Sequence, residues 1–537
     1  MNKLQKWGLA LASGLAAGIA WPFTGSQVWL IFIAFVPLLY VQDLQMTLKK
    51  QGKKAGVFGY AYTTFFVWNV VSTWWVWNAS AFGAVMAILF NALFMTALFM
   101  LYHHTRKRLG DIPAFFGLIM YWIAWEQFHM GWDLTWPWLT LGNIFASVPD
   151  WVQWYEFTGS HGGTVWIWVI NLLGLQALRK CLIFRTVKAS TKPLALIAAA
   201  LILPFVASFI VKSNYEPGGT KAEVVIVQPN IDPYKKFADY SSLEQVQRIA
   251  DLGRKKITPQ TNYLVAPETA IPKSFKEKDF TFTEEYGVLK ELQDEFPNLN
   301  ILIGASTVEV YGSQKPASAT ARYNERNDIY YDFYNTAVHI SAQGEIDFYH
   351  KSKLVPGVEL LPFPSIFSHF QEFAFDLGGT TGSLGRQAER SVFEFENGKI
   401  APVICYESVY GEYVGDYLNN GAEAVFIITN DGWWGNTPGY RQHNEYARLR
   451  AIEHRKEVAR SANTGISGFI NALGEKSQQT PYWETAVISG TIRLNNKTTF
   501  YTRHGDYLAR TSFGFAGLLL LLVIVRRKQQ KTASKRN

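Results

Sequence analysis

Three residues of this chain have the chemistry for nucleophilic catalysis, and each closes or follows a short run of β-formers. Glu268 follows "YLVAP", Lys351 follows "IDFYH" and Cys405 follows "APVI". A cysteine attacks as its thiolate, and with a free pKa of about 8.5 it needs a base or a positive neighbour. A glutamate can take the proton, and a lysine can stabilise both the thiolate and the oxyanion that forms when a carbonyl is attacked. Singly each has a plainer reading, since a free cysteine is often core and a charged group at a strand end is often just solvated. Together they make a chemically sensible set. His350 stands beside Lys351, but consecutive strand residues point to opposite faces, so it is left outside the set.

These residues need strands to carry them. "AEVVIVQPNI", "NYLVAPE", "NILIGAST", "NTAVHIS", "APVICYE", "EAVFIITND" and "ISGFINALG" read as β-strands. "SSLEQVQRIADLGRKK", "EEYGVLKELQDEF" and "HNEYARLRAIEHRKEVARSA" read as amphipathic helices. Strands alternating with helices predict an α/β domain, here spanning 213–505.

The rest of the 537 residues is of a different kind. A span needs roughly 20 mostly apolar residues, and seven candidates precede the α/β part, at 7–24, 27–43, 56–76, 81–102, 112–131, 163–180 and 193–211. An eighth lies at 509–525, so residues 1–212 are expected to form a membrane domain of about seven spans and 506–537 a C-terminal span with a basic cytoplasmic tail. Lys3 and Lys6, "LKKQGKK", "RKR" and "RKCLIFRTVK" fall in alternate loops, while the loops around Gly25, Asn78 and 133–163 lack Lys and Arg. Positive residues mark the cytoplasmic side. Both termini are therefore expected inside and the α/β domain outside. The same clusters account for the net charge of +8, so a basic balance does not indicate nucleic acid. Two cysteines, Cys181 and Cys405, lie in unlike parts and build no disulfide framework. The Trp-rich segment after the fifth span reads either as an interfacial aromatic belt or as a re-entrant lining of a lipid-facing entrance, with Glu126 and His129 as candidate polar contacts.

"VAPETAIP", "YHKSKLVPGVELLPF" and "VICYES", in the order Glu, Lys, Cys, resemble the three signature segments of the nitrilase superfamily, and "TNDGWWG" with the helix after it is similar too. The membrane-embedded branch of that superfamily, the apolipoprotein N-acyltransferases, is resembled over nearly the whole chain, through "WPWLTLGN", "QPNI", "PET", "YNT", "KLVP", "CYE" and "TNDGWWG". One departure is visible: the family usually has Phe-Gly-Glu after Leu-Val-Pro, where this chain has Gly357-Val358-Glu359. Glu359 keeps the family's spacing from Lys351.

The resemblance implies an αββα sandwich behind the membrane helices, with a Glu268–Lys351–Cys405 triad. It also implies transfer of the sn-1 acyl chain of a phospholipid, through a Cys405 thioester, to the α-amino group of an S-diacylglyceryl cysteine on a lipoprotein. Glu359 is then a second active-site carboxylate. Tyr406, Glu407 and Asn335 are expected to shape the pocket, and Trp433, Trp434 and Phe363 to keep water from the thioester. The implied partners are a phospholipid donor, a lipoprotein acceptor and the bilayer of a bacterial inner membrane, with the catalytic domain periplasmic and the protein a monomer. No cofactor or metal is expected, because His103, His104, His339, His350, His443 and His454 show no ligand spacing. Two other readings remain: a membrane-tethered amidase using the same triad, and a scaffold that has the fold without turnover.

Overall fold

The computed structural model describes residues 1–316, 318–363, 383–396 and 398–536. The chain divides into two compact units, one of residues 1–77, 82–214 and 506–537 and the other of residues 78–81 and 215–505.

The first unit is helical. Helices Lys3–Ala20, Phe58–Thr73, Ala81–Leu109, Asp111–Phe128, Ser160–Phe184, Thr191–Ser213 and Tyr507–Arg536 coincide with expected spans. The second span is broken: short turns over Val28–Leu30 and Ile31–Ala34 precede helix Val36–Lys50. Pro37 removes a backbone donor at that break, and the Asn171 amide bridges it. Its Oδ1 accepts from the Phe35 N–H at 2.9 Å and its Nδ2 donates to the Ile31 carbonyl at 2.9 Å. Among the described residues five helices, within 28–50, 81–109, 160–184, 191–213 and 507–533, are long and apolar enough to cross a membrane. Gly14 lets the first helix lie against the helix containing Thr64, since a Cβ there would stand 2.4 Å from the Thr64 carbonyl oxygen. Arg106 and Arg179, from two of the basic clusters, are joined to Asp43 and Asp111, with Arg106 Nε to Asp111 at 2.7 Å and Arg179 to Asp111 at 2.6 Å. The Trp-rich segment folds into a run of 3₁₀ turns (Pro137–Leu139, Leu141–Ser147, Pro149–Trp151) with Trp138, Leu141 and Phe145 buried. Glu126, itself buried, anchors it by accepting from the Leu141 N–H at 2.8 Å, the Thr164 hydroxyl at 2.8 Å and the Trp122 indole at 3.1 Å. His129 is buried as well and accepts from the Trp132 indole at 2.8 Å.

The second unit is an αββα sandwich. One sheet holds β1 (Thr220–Gln228), β2 (Thr261–Val265), β3 (Ile271–Phe275), β4 (Asn300–Gly312), β5 (Arg322–Asn324), β6 (Ile329–Ile340), β7 (Ile346–His350) and β14 (Ala486–Leu494). The other runs in the order β13 (Lys476–Ser477), β12 (Gly468–Ile470), β11 (Val458–Ala462), β10 (Ala424–Thr429), β9 (Gly398–Ile404), β8 (Phe393–Phe395). Helices Ser242–Arg254 and Glu284–Glu295 cover the first sheet, Val246, Ile249, Leu289 and Leu292 packing on Val225, Leu264, Ile301 and Val338. Each such fully buried side chain contributes roughly 1.5–3 kcal/mol. Between the sheets the Tyr263 ring stands edge-on to Phe395 and Phe426.

One element differs from the sequence reading. The helix expected through Ala462 ends at His454, because Arg455 takes a left-handed φ of 51° that a helix cannot continue through. Val458–Ala462 instead forms the fully buried strand β11, parallel to β10. Arg460 and Ser461 gave this stretch a helix-like polar pattern; inside, they meet polar partners.

Candidate active site

Cys405 sits where β9 turns sharply into a 3₁₀ turn, Cys405–Val409, with its own φ at +50°. A non-glycine residue held there costs roughly 1–3 kcal/mol, and local hydrogen bonds offset it. The Ser408 hydroxyl donates to the Cys405 carbonyl at 2.7 Å, and the Ile404 N–H donates to the Glu407 carboxylate at 2.9 Å. The thiol-bearing residue is 8% exposed.

Glu268 follows β2 on a segment pressed against β4. The Gly304 N–H donates to the Pro267 carbonyl at 3.1 Å, and a Cβ at Gly304 would come within 2.6 Å of the Glu268 Cα, so only glycine fits. The next residue, Thr269, is also left-handed, at φ +52°, and its carbonyl accepts from the buried Lys236 ammonium at 2.6 Å. Lys351 follows β7 and is positioned by β6, its N–H donating to the Asn335 carbonyl at 2.8 Å. The alternation expected of the strand holds: His350 faces away, bonded to Glu277 at 2.5 Å and stacked on Tyr334.

The side chains converge. Lys351 Nζ donates to Glu268 Oε1 and to Glu359 Oε1, both at 2.9 Å. Asn335 Nδ2 donates to the same two oxygens at 2.7 and 3.1 Å. The Cys405 thiol is buried beside this group, close enough for the Glu268 and Lys351 charges both to act on it. Glu359 reaches this group through a turn closed by Gly357 at φ +80°, with the Val355 N–H donating to Glu359 Oε2 at 2.9 Å. Glycine therefore occupies the left-handed position of the turn in this chain, and Val358 does not need to.

Burial and charge then fix the resting proton positions. Burial pushes the Glu268 carboxyl up, but the Lys351 ammonium outweighs it and holds Glu268 below the model-compound value of 4.5. Burial works against the Lys351 ammonium, yet the Glu268 and Glu359 carboxylates raise it well above 10.5. For Cys405, burial and the Glu268 charge together raise the thiol above its ordinary value, against the opposing pull of Lys351. At neutral pH the set is thus a carboxylate, an ammonium and a protonated thiol, an arrangement suited to proton transfer concerted with attack on a carbonyl.

The supporting residues fall in two groups. Glu407, expected as a pocket wall, is fully buried and works as a clamp. Its carboxylate accepts from the Ile404 N–H just before the cysteine, from the Ser352 N–H just after the lysine at 2.7 Å, and from the Tyr349 and Tyr413 hydroxyls at 2.8 and 2.6 Å. Tyr406 is buried, its ring edge-on to Tyr410. Trp433 and Trp434 are half-buried, the first edge-on to Tyr234 and the second to His443. Phe363 is half-buried with φ +47°.

Four residues at the site were given no role there by the sequence reading. Lys236 holds Thr269 as described, with nothing in its local sequence to mark it. Asp431 and His443 lie behind Cys405, paired at 3.0 Å, and Arg460 donates to Asp431 at 2.5 Å. The motif "TNDGWWG" did signal Asp431. Ligand atoms of Cys405, Asp431 and His443 lie within 4.8 Å of one another, a spacing that can hold a metal ion. Here the Arg460 guanidinium already neutralises the Asp431 carboxylate, and His443 faces Asp431 with one nitrogen and the Cys405 carbonyl with the other, so hydrogen bonding accounts for the grouping.

The profile of the carbon-nitrogen hydrolase family matches residues 223–500, and that of the apolipoprotein N-acyltransferase N-terminal domain matches residues 13–173. The apolipoprotein N-acyltransferase of Chlorobaculum tepidum is 29% identical over 524 residues, 95% of either chain. That of Geobacter metallireducens is 26% identical over 508 residues, 93% of this chain and 92% of its own. Among solved structures, Saccharomyces cerevisiae Nit3, a nitrilase-superfamily member, is 17% identical with a TM-score of 0.34, covering 51% of this chain and 90% of that one.

Proposed function

The chain belongs to the carbon-nitrogen hydrolase family, in its apolipoprotein N-acyltransferase branch, and from that membership we propose that Cys405 carries the acyl group in a two-step transfer between lipid substrates. The observation that carries this reading is a buried Cys405 thiol under the charge of a Glu268 carboxylate that the Lys351 ammonium bonds at 2.9 Å and keeps ionised.

In the first step Glu268 accepts the thiol proton as the sulfur adds to the sn-1 ester carbonyl of a phospholipid. The Lys351 ammonium, with backbone N–H groups beside Cys405, stabilises the oxyanion. Collapse breaks the ester C–O bond, the lysophospholipid alkoxide takes the proton back from Glu268, and a thioester remains. In the second step the α-amino group of the S-diacylglyceryl cysteine of a lipoprotein attacks the thioester, Glu268 takes a proton from the amine, and the sulfur leaves to regain it. The product is an N-acylated lipoprotein and the free enzyme. Trp433, Trp434 and Phe363 shield the thioester from water. Both substrates are anchored in a bilayer, and the apolar helices before and after the α/β unit tether the enzyme to the same surface, which raises the effective concentration of each. The distribution of Lys and Arg supports cytoplasmic termini and a periplasmic catalytic unit in a bacterial inner membrane.

The test is mass spectrometry of purified enzyme incubated with a labelled phospholipid, followed by a diacylated lipopeptide. An acyl adduct on Cys405 that moves to the peptide amine is expected. No adduct defeats the reading, and an adduct released only to water makes the protein a hydrolase.

A further inference from the structure

Behind the nucleophile lies a buried polar chain that the proposed chemistry does not use. Arg460 donates to Asp431 Oδ2 at 2.5 Å, and Asp431 Oδ1 accepts from the Thr429 hydroxyl at 2.7 Å and faces His443 Nδ1 at 3.0 Å. The other imidazole nitrogen, Nε2, lies 3.1 Å from the Cys405 carbonyl oxygen and 2.9 Å from the Ser408 hydroxyl. The carbonyl has no proton to give, and the Ser408 hydroxyl already donates its own to that carbonyl at 2.7 Å. With Nε2–H donating, the Cys405 carbonyl is held by two donors at once, while Nδ1 meets the Asp431 carboxylate at 3.0 Å and the Arg460 guanidinium at 3.2 Å. Asp431, His443, Arg460 and Ser408 are each at most 1% exposed, so these bonds are made without competition from water.

The peptide between Cys405 and Tyr406 is trans, as are all peptides among the described residues, and a trans peptide is close to planar. In a trans peptide the C=O and the N–H point in opposite directions. Fixing the Cys405 carbonyl toward His443 and Ser408 consequently aims the Tyr406 N–H to the opposite side of the peptide, away from the Asp431–His443 pair.

We propose that His443, oriented by Asp431 and Arg460, is a positioning residue that locks the Cys405–Tyr406 peptide so that the Tyr406 N–H serves, with Lys351, as a donor to the oxyanion of acyl transfer. This rests on the acyl-enzyme reading above. It requires that loss of the imidazole slow steps with a tetrahedral oxyanion and spare steps without one. Acylation of Cys405 by a phospholipid passes through such an oxyanion. Alkylation by iodoacetamide does not, since the sulfur displaces iodide from a CH₂ carbon.

The experiment compares both reactions of Cys405 in the full-length wild type, His443→Leu, His443→Gln and Ser408→Ala. His443→Leu should slow single-turnover acylation by about 10- to 100-fold, less than the roughly 10²- to 10³-fold cost of removing an oxyanion donor outright because the Tyr406 N–H is loosened and not lost, while KM for the phospholipid and the alkylation rate stay within about twofold. Gln places an amide N–H where Nε2 was, so His443→Gln should recover most of the lost rate. Ser408→Ala should repeat the His443→Leu pattern more mildly, and it carries the test if His443→Leu does not fold. Acylation and alkylation falling together, acylation left unchanged, or a Gln variant no faster than Leu would each overturn the proposal. A wild type that forms no acyl adduct would instead defeat the acyl-enzyme reading itself.

Discussion

Glu268 can act as a base near neutrality only because a buried ammonium stands 2.9 Å from it. Burial alone would protonate it. With Glu268 held below 4.5 and Lys351 well above 10.5, neither group changes charge across the neutral range. The acylation rate should therefore be flat between about pH 6 and 9 and fall only as acid approaches the depressed Glu268 pKa. An inflection near pH 7 in single-turnover acylation would point to a different base. The linkage has the same sign for stability: the folded pKa of Glu268 lies below its unfolded value, so its contribution is complete above 4.5 and is lost as pH falls through the folded value. Glu268→Gln should lower acylation by about 10²- to 10⁴-fold, with the protein still folded by circular dichroism. Glu268, Lys351 and Cys405 were legible in the sequence because each follows an apolar strand and the three occur in one order. His443 was not, because its spacing to other histidines carries no information about a carbonyl it meets through a fold.

At the scale of elements, the site is a matter of holding strand ends together. Glu407 ties the end of β9 to the segment after β7, accepting from the Ile404 and Ser352 N–H groups with a fully buried carboxylate. Glu407→Ala would leave both donors without that partner, a loss of about 2–6 kcal/mol at 1–3 kcal/mol per group. A drop in Tm in detergent, together with lost acylation, is the expected result, and an unchanged Tm would contradict the clamp. Gly357 gives a gentler test. Nothing lies within 4 Å of a Cβ added there, so Gly357→Ala is penalised only by its φ of +80°. The expected loss is about 1–2 kcal/mol, with slower acylation if the turn shifts Glu359 from Lys351. The strands and outer helices of the sandwich could be read from period and β-branched content. The strand Val458–Ala462 could not, since its Arg460 and Ser461 look solvent-facing until Asp431 and the Val227 carbonyl are seen to receive them.

For the whole molecule, the Lys and Arg clusters make a statement about sidedness that labelling can check. In a Cys181→Ser background, Phe282→Cys, at a position 86% exposed on the α/β unit, should react with a membrane-impermeant maleimide added to intact spheroplasts. Lys531→Cys, in the exposed basic tail, should react only after permeabilisation. The reverse pattern would invert the proposed topology.

The sequence by itself determined the two kinds of material in the chain, the basis of the proposed sidedness and the choice of Glu268, Lys351 and Cys405 as the proposed reactive set, because apolar run length, charge asymmetry and strand-end chemistry are local properties. Tertiary structure alone decided that the cysteine rests as a protonated thiol and that Glu407 clamps backbone. It alone decided, too, that glycine takes the left-handed position before Glu359 and that an Asp431–His443 pair grips the Cys405 carbonyl. Each of these depends on which groups meet in a water-poor interior, where burial and a neighbouring charge set proton positions and an unmet hydrogen bond is costly.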